Sequence, residues 1–217
     1  MSREKITAEH IQSMLLTTAQ QWQTASHISG ALDAKLGDGD HGHALANGMA
    51  AAAEQLREPK NIPEMFMTTA SSLMNRMGGA AGALLGSFFL GMATATQEPA
   101  ELTLVDFSAM CSAGCAAVKR RSRAEMGDKT LLDALEPAIH ALASYAEAGA
   151  SIANSLQEAA KAADTGANAT IAMTAKHGRA KFLGERSAGH MDPGAHSVSV
   201  MFHAWHIAWQ DIEGRGG

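Results

Sequence analysis

The sequence predicts an all-α fold of about eight helices, and three observations carry that reading. Apolar residues recur three and four positions apart along nearly the whole chain, the spacing of a helix face. The composition is rich in alanine and methionine with only 5% aromatics, which favours closely packed helices over sheets. Thr-x-x-Asp pairs stand where two of the apolar runs begin, as in helix capping boxes. The 217 residues are 46% hydrophobic, enough for a substantial core. No composition shift marks a boundary, so residues 1–217 read as a single domain.

Taken in order, Ile11, Met14, Leu15, Trp22, Ile28 and Leu32 mark one face of a first helix. A second carries Leu45, Met49 and Leu56. Pro59 and Pro63 bracket a turn, and Pro63 suits the first turn of a third helix bearing Met67, Leu73, Met74 and Met77. Residues 79–96 predict a fourth, very apolar helix with Leu84, Leu85, Phe88, Phe89 and Met92. Thr103 with Asp106 opens a fifth, and Thr130 with Asp133 a sixth that Pro137 would kink. Residues 151–175 form an alanine-rich seventh, and Val198, Met201, Trp205, Ala208 and Ile212 an eighth. Ser197–Phe202 alternates like a strand, but its neighbours restore the helical period. Short connections imply antiparallel neighbours. In such an up-down bundle, the polar, glycine-rich connections 33–43, 121–130 and 176–196 and the glycine cluster 78–82 could share one end.

Composition also excludes function classes. The net charge is -5 with no basic block, so nothing argues for nucleic acid. No apolar run reaches membrane-spanning length, and no apolar segment follows Met1–Lys5, which points to the cytoplasm. Cys111 and Cys115 read as small buried hydrophobes, since no second pair completes a metal or redox site.

The most informative stretch is Asp33-Ala-Lys-Leu-Gly-Asp38-Gly-Asp40-His41-Gly42-His43. Two carboxylates about 5 Å apart repel by about 3 kcal/mol at an effective dielectric near 20. A loop that gathers three calls for a cation. Gly37-x-Gly39-x-x-Gly42 is not a dinucleotide fingerprint, because no strand precedes it and its aspartates would repel a pyrophosphate. It is not an EF-hand, lacking the closing glutamate. Gly127-Asp128-Lys129-Thr130 is not a Walker A turn, since an aspartate separates glycine from lysine. The readings left for Asp33, Asp38 and Asp40 are magnesium held for a polyphosphate, a solvated acidic loop, or zinc or manganese shared with His41 and His43. Gly78–Gly82 is either a close helix contact or a helix N-terminus aimed at an anion. Arg179 lies in a basic, glycine-punctuated loop, and Asp192-Pro193-Gly194 reads as a turn into a helix. Ser187 is not in a nucleophile elbow.

Four segments in order carry a resemblance. They are Gly-Asp-Gly-Asp-His-Gly (37–42), Gly-Gly-Ala-Ala-Gly (78–82) with Gly86-Ser-Phe-Phe89, Gly-Asp-Lys-Thr-Leu-Leu-Asp-Ala-Leu-Glu-Pro (127–137), and Gly-Arg-Ala-Lys-Phe-Leu-Gly-Glu-Arg-Ser-Ala-Gly-His-Met-Asp-Pro-Gly-Ala (178–195). Together they resemble the nucleotide-binding L subunit of dihydroxyacetone kinase over nearly the whole chain.

The resemblance implies a barrel of eight antiparallel helices with an ADP or ATP site at one end. It implies two magnesium ions on Asp33, Asp38 and Asp40. It sets His41, Gly42, Ala80 and Ala81 beside the nucleotide, Arg179, Asp192, Pro193 and Gly194 around it, and Leu131 in the purine pocket. It further implies phosphoryl transfer, with Asp33, Asp38, Asp40 and Arg179 serving the chemistry and a small hydroxyketone bound on a separate K-type subunit. In a phosphoenolpyruvate-dependent system, a phosphohistidine-bearing PTS-type protein would rephosphorylate bound ADP. A homodimer is left open. The chain departs from the family at Ala44, where an asparagine is common, and at Ala81 and Ala83. A lost charge-assisted bond to phosphate is worth roughly 1.5–3 kcal/mol, so nucleotide would bind less tightly or His43 would compensate. A non-catalytic ADP-sensing module and a His41/His43 metallohydrolase are the rival readings.

Overall fold

The computed structural model describes residues 4–58, 60–95 and 100–215. Met1–Arg3 of the leader reading, Pro59 of the expected turn and Thr96 of the expected fourth helix lie outside them. Eight α-helices follow in order: α1 Ala8–Leu36, α2 His41–Gln55, α3 Ile62–Arg76, α4 Gly79–Thr94, α5 Leu104–Ser122, α6 Leu132–Glu147, α7 Ile152–Ala169 and α8 Pro193–Arg215. Each packs on its neighbours in sequence and α8 packs back on α1, which closes the ring into a barrel. Two short strands, β1 Ile6–Thr7 and β2 Glu101–Leu102, pair antiparallel with Ile6 opposite Leu102. Two residues per strand are too few for any alternation to show in the sequence.

The core is where the few aromatics are spent. Trp205 of α8 packs on Phe202, on Phe107 of α5 (5.5 Å between centroids, edge-on) and on Phe88 of α4. Trp22 of α1 is buried and donates from its indole N–H to Ser197 O of α8 (2.9 Å). Elsewhere the helices meet through small residues. A Cβ on Gly42 would lie 1.9 Å from Ser26 O, and one on Gly166 would lie 1.9 Å from Asp133 O. Asp133 O is the carbonyl that Pro137, lacking an N–H, leaves without its intrahelical donor. Only glycine lets α7 approach α6 there, and only glycine lets the start of α2 lie on α1.

Several expectations need correction. Ile28 and Met67 follow the helical spacing but are 55% and 43% exposed: Ile28 borders the buried face of α1, and Met67 lies on the side of α3 away from Met65, Phe66, Thr69 and Leu73. The seventh helix ends at Ala169 and tightens into a 3-10 turn, Thr170–Ala172, instead of running to residue 175. Ser197–Phe202 is wholly within α8. The Thr103–Asp106 box forms in both directions, whereas at α6 only half of one does. There Asp133 accepts the Thr130 N–H (2.7 Å), but the Thr130 hydroxyl takes the Leu132 N–H instead. Asn61 with Glu64 makes a further box at α3. Cys111 and Cys115 are buried and unpaired, and burial raises both thiols, Cys115 to about 11.

Candidate functional site

The end of α1, the starts of α2, α4, α6 and α8, and the segment after α7 surround a cavity of about 260 Å³ at one end of the barrel. The four glycine-rich segments therefore do meet. One wall is acidic. Asp33 lies in the last turn of α1, and its carboxylate accepts the His41 N–H that opens α2 (3.2 Å). Gly39 takes a left-handed φ of 81°, which turns the chain so that Asp38 and Asp40 face Asp33. One oxygen from each of the three carboxylates lies within 4.8 Å of the others. Asp40 holds the N-cap position of α2 in a helical conformation (φ -88°, ψ -14°) and makes no side-chain cap bond. Its carboxylate is thereby left to the cluster.

Arg179 reaches across from the segment after α7 to pair with Asp38, with Asp40 Oδ1 4.0 Å from its other amino group. The hydrogen bond from Arg179 holds the Asp38 carboxyl below the usual range. Burial, and then the charge of Asp38, push Asp40 the other way. Opposite shifts in adjacent acids are what a shared excess of negative charge produces. Only hard oxygen donors converge here, so the donor set fits magnesium and not a soft metal. Neither His41 nor His43 belongs to this group among the described residues, which contradicts the His41/His43 zinc or manganese reading.

His41 is buried, and burial lowers its pKa. Ser197 donates its hydroxyl proton to Pro193 O (2.9 Å), so it accepts from His41 Nε2–H (2.8 Å). This neutral imidazole joins α2 to α8 in the cavity wall. His43 is exposed and outside the wall, so it does not replace the missing asparagine, whereas Ala44 does line the cavity. Gly42 is also absent from the wall. Its role is the α1–α2 contact, which fixes where the acidic loop sits.

The second wall is the start of α4. Gly78 is its N-cap, with no side chain to cap it, and Gly78, Gly79, Ala80 and Ala81 line the cavity. A Cβ on Gly79 would lie 3.5 Å from an amino group of Arg179, so the guanidinium spans the acidic loop and the open helix end. The third wall is apolar: Met77, Leu84, Val118, Leu131 and Leu132. Asp192, Pro193 and Gly194 close the cavity, with Asp192 Oδ2 accepting the Ala195 N–H (2.8 Å) in the first turn of α8. Desolvation pushes the Asp192 carboxyl up to about 7, against the pull of that bond and of Lys129. Sequence reasoning missed Lys129 and His177, both in the wall. The one signal for Lys129 was its place inside the family-like segment 127–137, and His177 stands just before the segment that begins at Gly178.

An acidic cluster, an arginine, an open helix N-terminus and an apolar slot make a polyphosphate-nucleoside site in chemical outline. The comparisons agree. The DAK2 domain model matches residues 35–206. The chain is 38% identical over 189 residues to the ADP-binding subunit DhaL of the PEP-dependent dihydroxyacetone kinase of Escherichia coli K12, covering 86% of this chain and 90% of the relative. It is 35% identical over 173 residues to the ADP-binding subunit DhaL of the PTS-dependent dihydroxyacetone kinase of Lactococcus lactis, covering 79% and 82%. The crystal structure of the C. freundii dihydroxyacetone kinase with AMP-PNP and Mg2+ superposes with a TM-score of 0.73 at 27% identity, over 92% of this chain and 33% of that one. The chain therefore belongs to the DAK2 domain family, alongside the DhaL subunits of dihydroxyacetone kinases.

Proposed function

We propose that this chain is the Mg-nucleotide-binding subunit of a dihydroxyacetone kinase-type phosphotransferase, working as one domain. The observation that carries the reading is the convergence of Asp33, Asp38 and Asp40 with Arg179 beside the open N-terminus of α4. The three aspartates would hold magnesium, two ions by the family resemblance. When bound, the ions would neutralise charge on the phosphate oxygens. Arg179 presents a planar set of donors to the phosphate chain, and the free N–H groups of Ala80 and Ala81 add uncharged donors. Leu131 and its apolar neighbours take the base. Asp192 anchors the first turn of α8 under the nucleotide. No acid acts as a nucleophile, and His41 stays neutral in its bond to Ser197.

The acceptor would sit elsewhere. The solved relative is about three times as long as the stretch matched, which supports a small hydroxyketone held on a K-type partner subunit. The names of the PEP- and PTS-dependent relatives support ADP as a retained nucleotide, rephosphorylated by a phosphohistidine-bearing PTS-type protein. The cytoplasm is the compartment this reading needs. No helix among the described residues is long and apolar enough to cross a membrane.

Native mass spectrometry of the purified protein is expected to show retained ADP with magnesium. Bound zinc would overturn the magnesium assignment, and free ATP exchange would select an ATP-dependent kinase. In calorimetric titration, Asp38→Asn should lower Mg-ADP affinity at least about 100-fold while helical content and melting stay as in the wild type. Unchanged affinity would sink the metal assignment.

A further inference from the structure

Arg179 is carried by the excursion that leaves the end of α7 and returns at the start of α8. Its base is pinched. Gly189 N–H donates to Ile171 O (2.7 Å), and Asp192 N–H donates to Thr170 Oγ1 (2.9 Å). Lys129 lies across this base. It is 2% exposed and has a left-handed φ of 60°, and its ammonium donates to Thr170 O (2.5 Å) and to His190 O. One cation thus ties the outgoing chain to the returning chain.

Asp128, next in sequence and 8% exposed, grips the same excursion further out. Its carboxylate accepts from Lys176 Nζ (2.7 Å) and His177 Nε2 (3.1 Å), and its carbonyl accepts the Lys176 N–H (3.2 Å). Ser187 ties the interior, accepting the Ala175 N–H and donating to Gly184 O. Arg179 stands two residues beyond His177.

Burying an ammonium is unfavourable even after relaxation, and burial lowers the pKa of Lys129 accordingly. An apolar side chain would fill the same space without that cost; the cation feels the carboxylates of Asp192 and Asp133, and its hydrogen bonds go to the two carbonyls at the base of the excursion. We propose that Lys129, supported by Asp128, is a positioning residue: it clasps the 171–191 excursion and so holds Arg179 over the acidic loop. Its effect on ligand affinity rests on the Mg-nucleotide reading, whereas its effect on the excursion does not.

The test uses the whole chain and Lys129→Met. Trypsin cleavage at Arg179, Lys181 and Arg186 should quicken about tenfold while the helical melting transition stays in place. Mg-ADP affinity should fall about tenfold in the wild-type background but less than about threefold in an Arg179→Met background, because the two residues act as one unit. A wild-type cleavage rate overturns the clasp. Equal affinity losses in both backgrounds also overturn it, and mean that Lys129 meets the nucleotide itself. If Lys129→Met does not fold, Lys176→Met removes a 63% exposed side chain from the Asp128 grip. It should quicken cleavage about threefold, and no change again overturns the clasp. A wild-type protein that binds no Mg-ADP would sink the site reading while the cleavage result still decides the clasp.

Discussion

The two ends of the barrel treat their helix N-termini in opposite ways. At the end away from the cavity, α1, α3, α5 and α7 open on Thr7, Asn61, Thr103 and Ser151. All four are extended at the cap, and their side chains accept an N–H of the first turn. At the cavity end, α2, α4 and α6 have Asp40, Gly78 and Leu131 in that position, and none makes a side-chain cap bond. Asp40 shows that residue type is not the cause. Aspartate is among the best caps, but its helical backbone turns the carboxylate toward Asp33 and Asp38. The far end uses its polar groups to complete helices. The near end leaves donors and carboxylates for a ligand, and the Arg179 pair and the Lys129 contacts hold the segment after α7 beside them. The exception is α8, where Asp192 does cap, with its carboxyl partly desolvated.

That contrast can be broken at three places. The first is Thr103→Ala, which deletes a far-end box. Stability should fall by about 1 kcal/mol, or roughly 2–4 °C in melting, with Mg-ADP affinity untouched. A loss of affinity would mean the two ends are coupled. Next, Gly78→Ser adds the missing cap to α4, where a Cβ meets nothing within 4 Å and the backbone is already extended (φ -71°, ψ 169°). Stability should rise by about a few tenths of a kcal/mol, and calorimetry should show Mg-ADP affinity falling about threefold to fivefold as the hydroxyl competes for the N–H groups. Unchanged affinity would show that the open end of α4 does not serve the ligand.

The third place is Asp192, where the readout is the pH dependence of melting. Its folded carboxyl is raised to about 7 from 3.8, so between these values the native state holds more protons than the unfolded one. Stability from this group is then full below about pH 4 and declines as pH rises toward 7. Asp192→Asn keeps an acceptor for the Ala195 N–H without the titration. The melting temperature of this variant should therefore gain on the wild type as pH rises from 4 to 7. A constant difference would mean the carboxyl is not desolvated.

Much of this was legible in the chain. Thr103 and Asp106 announce their box because capping is a local, four-residue affair, and Asn61 with Glu64 obeys the same rule. Asp33, Asp38 and Asp40 imply a cation because repulsion at short spacing needs no tertiary contact to be felt. Lys129 was not legible. A lysine in a polar loop reads as solvated, and its partners, Thr170 O and His190 O, are backbone atoms that carry no signature in the sequence. Ile28 and Met67 show the same limit from the other side, since helical spacing defines a face but not how far the neighbouring helix covers it.

The sequence by itself determined the eight helices, their starts at the far end and the acidic loop, because periodicity, caps and charge repulsion act within a few residues. Only the tertiary structure decided which loops share an end, that Gly42 spaces two helices while His41 faces Ser197, and that a buried lysine holds the arginine. Those outcomes depend on contacts between separate helices and loops, such as Gly42 with Ser26, Lys129 with Thr170 and His41 with Ser197, which no local pattern encodes.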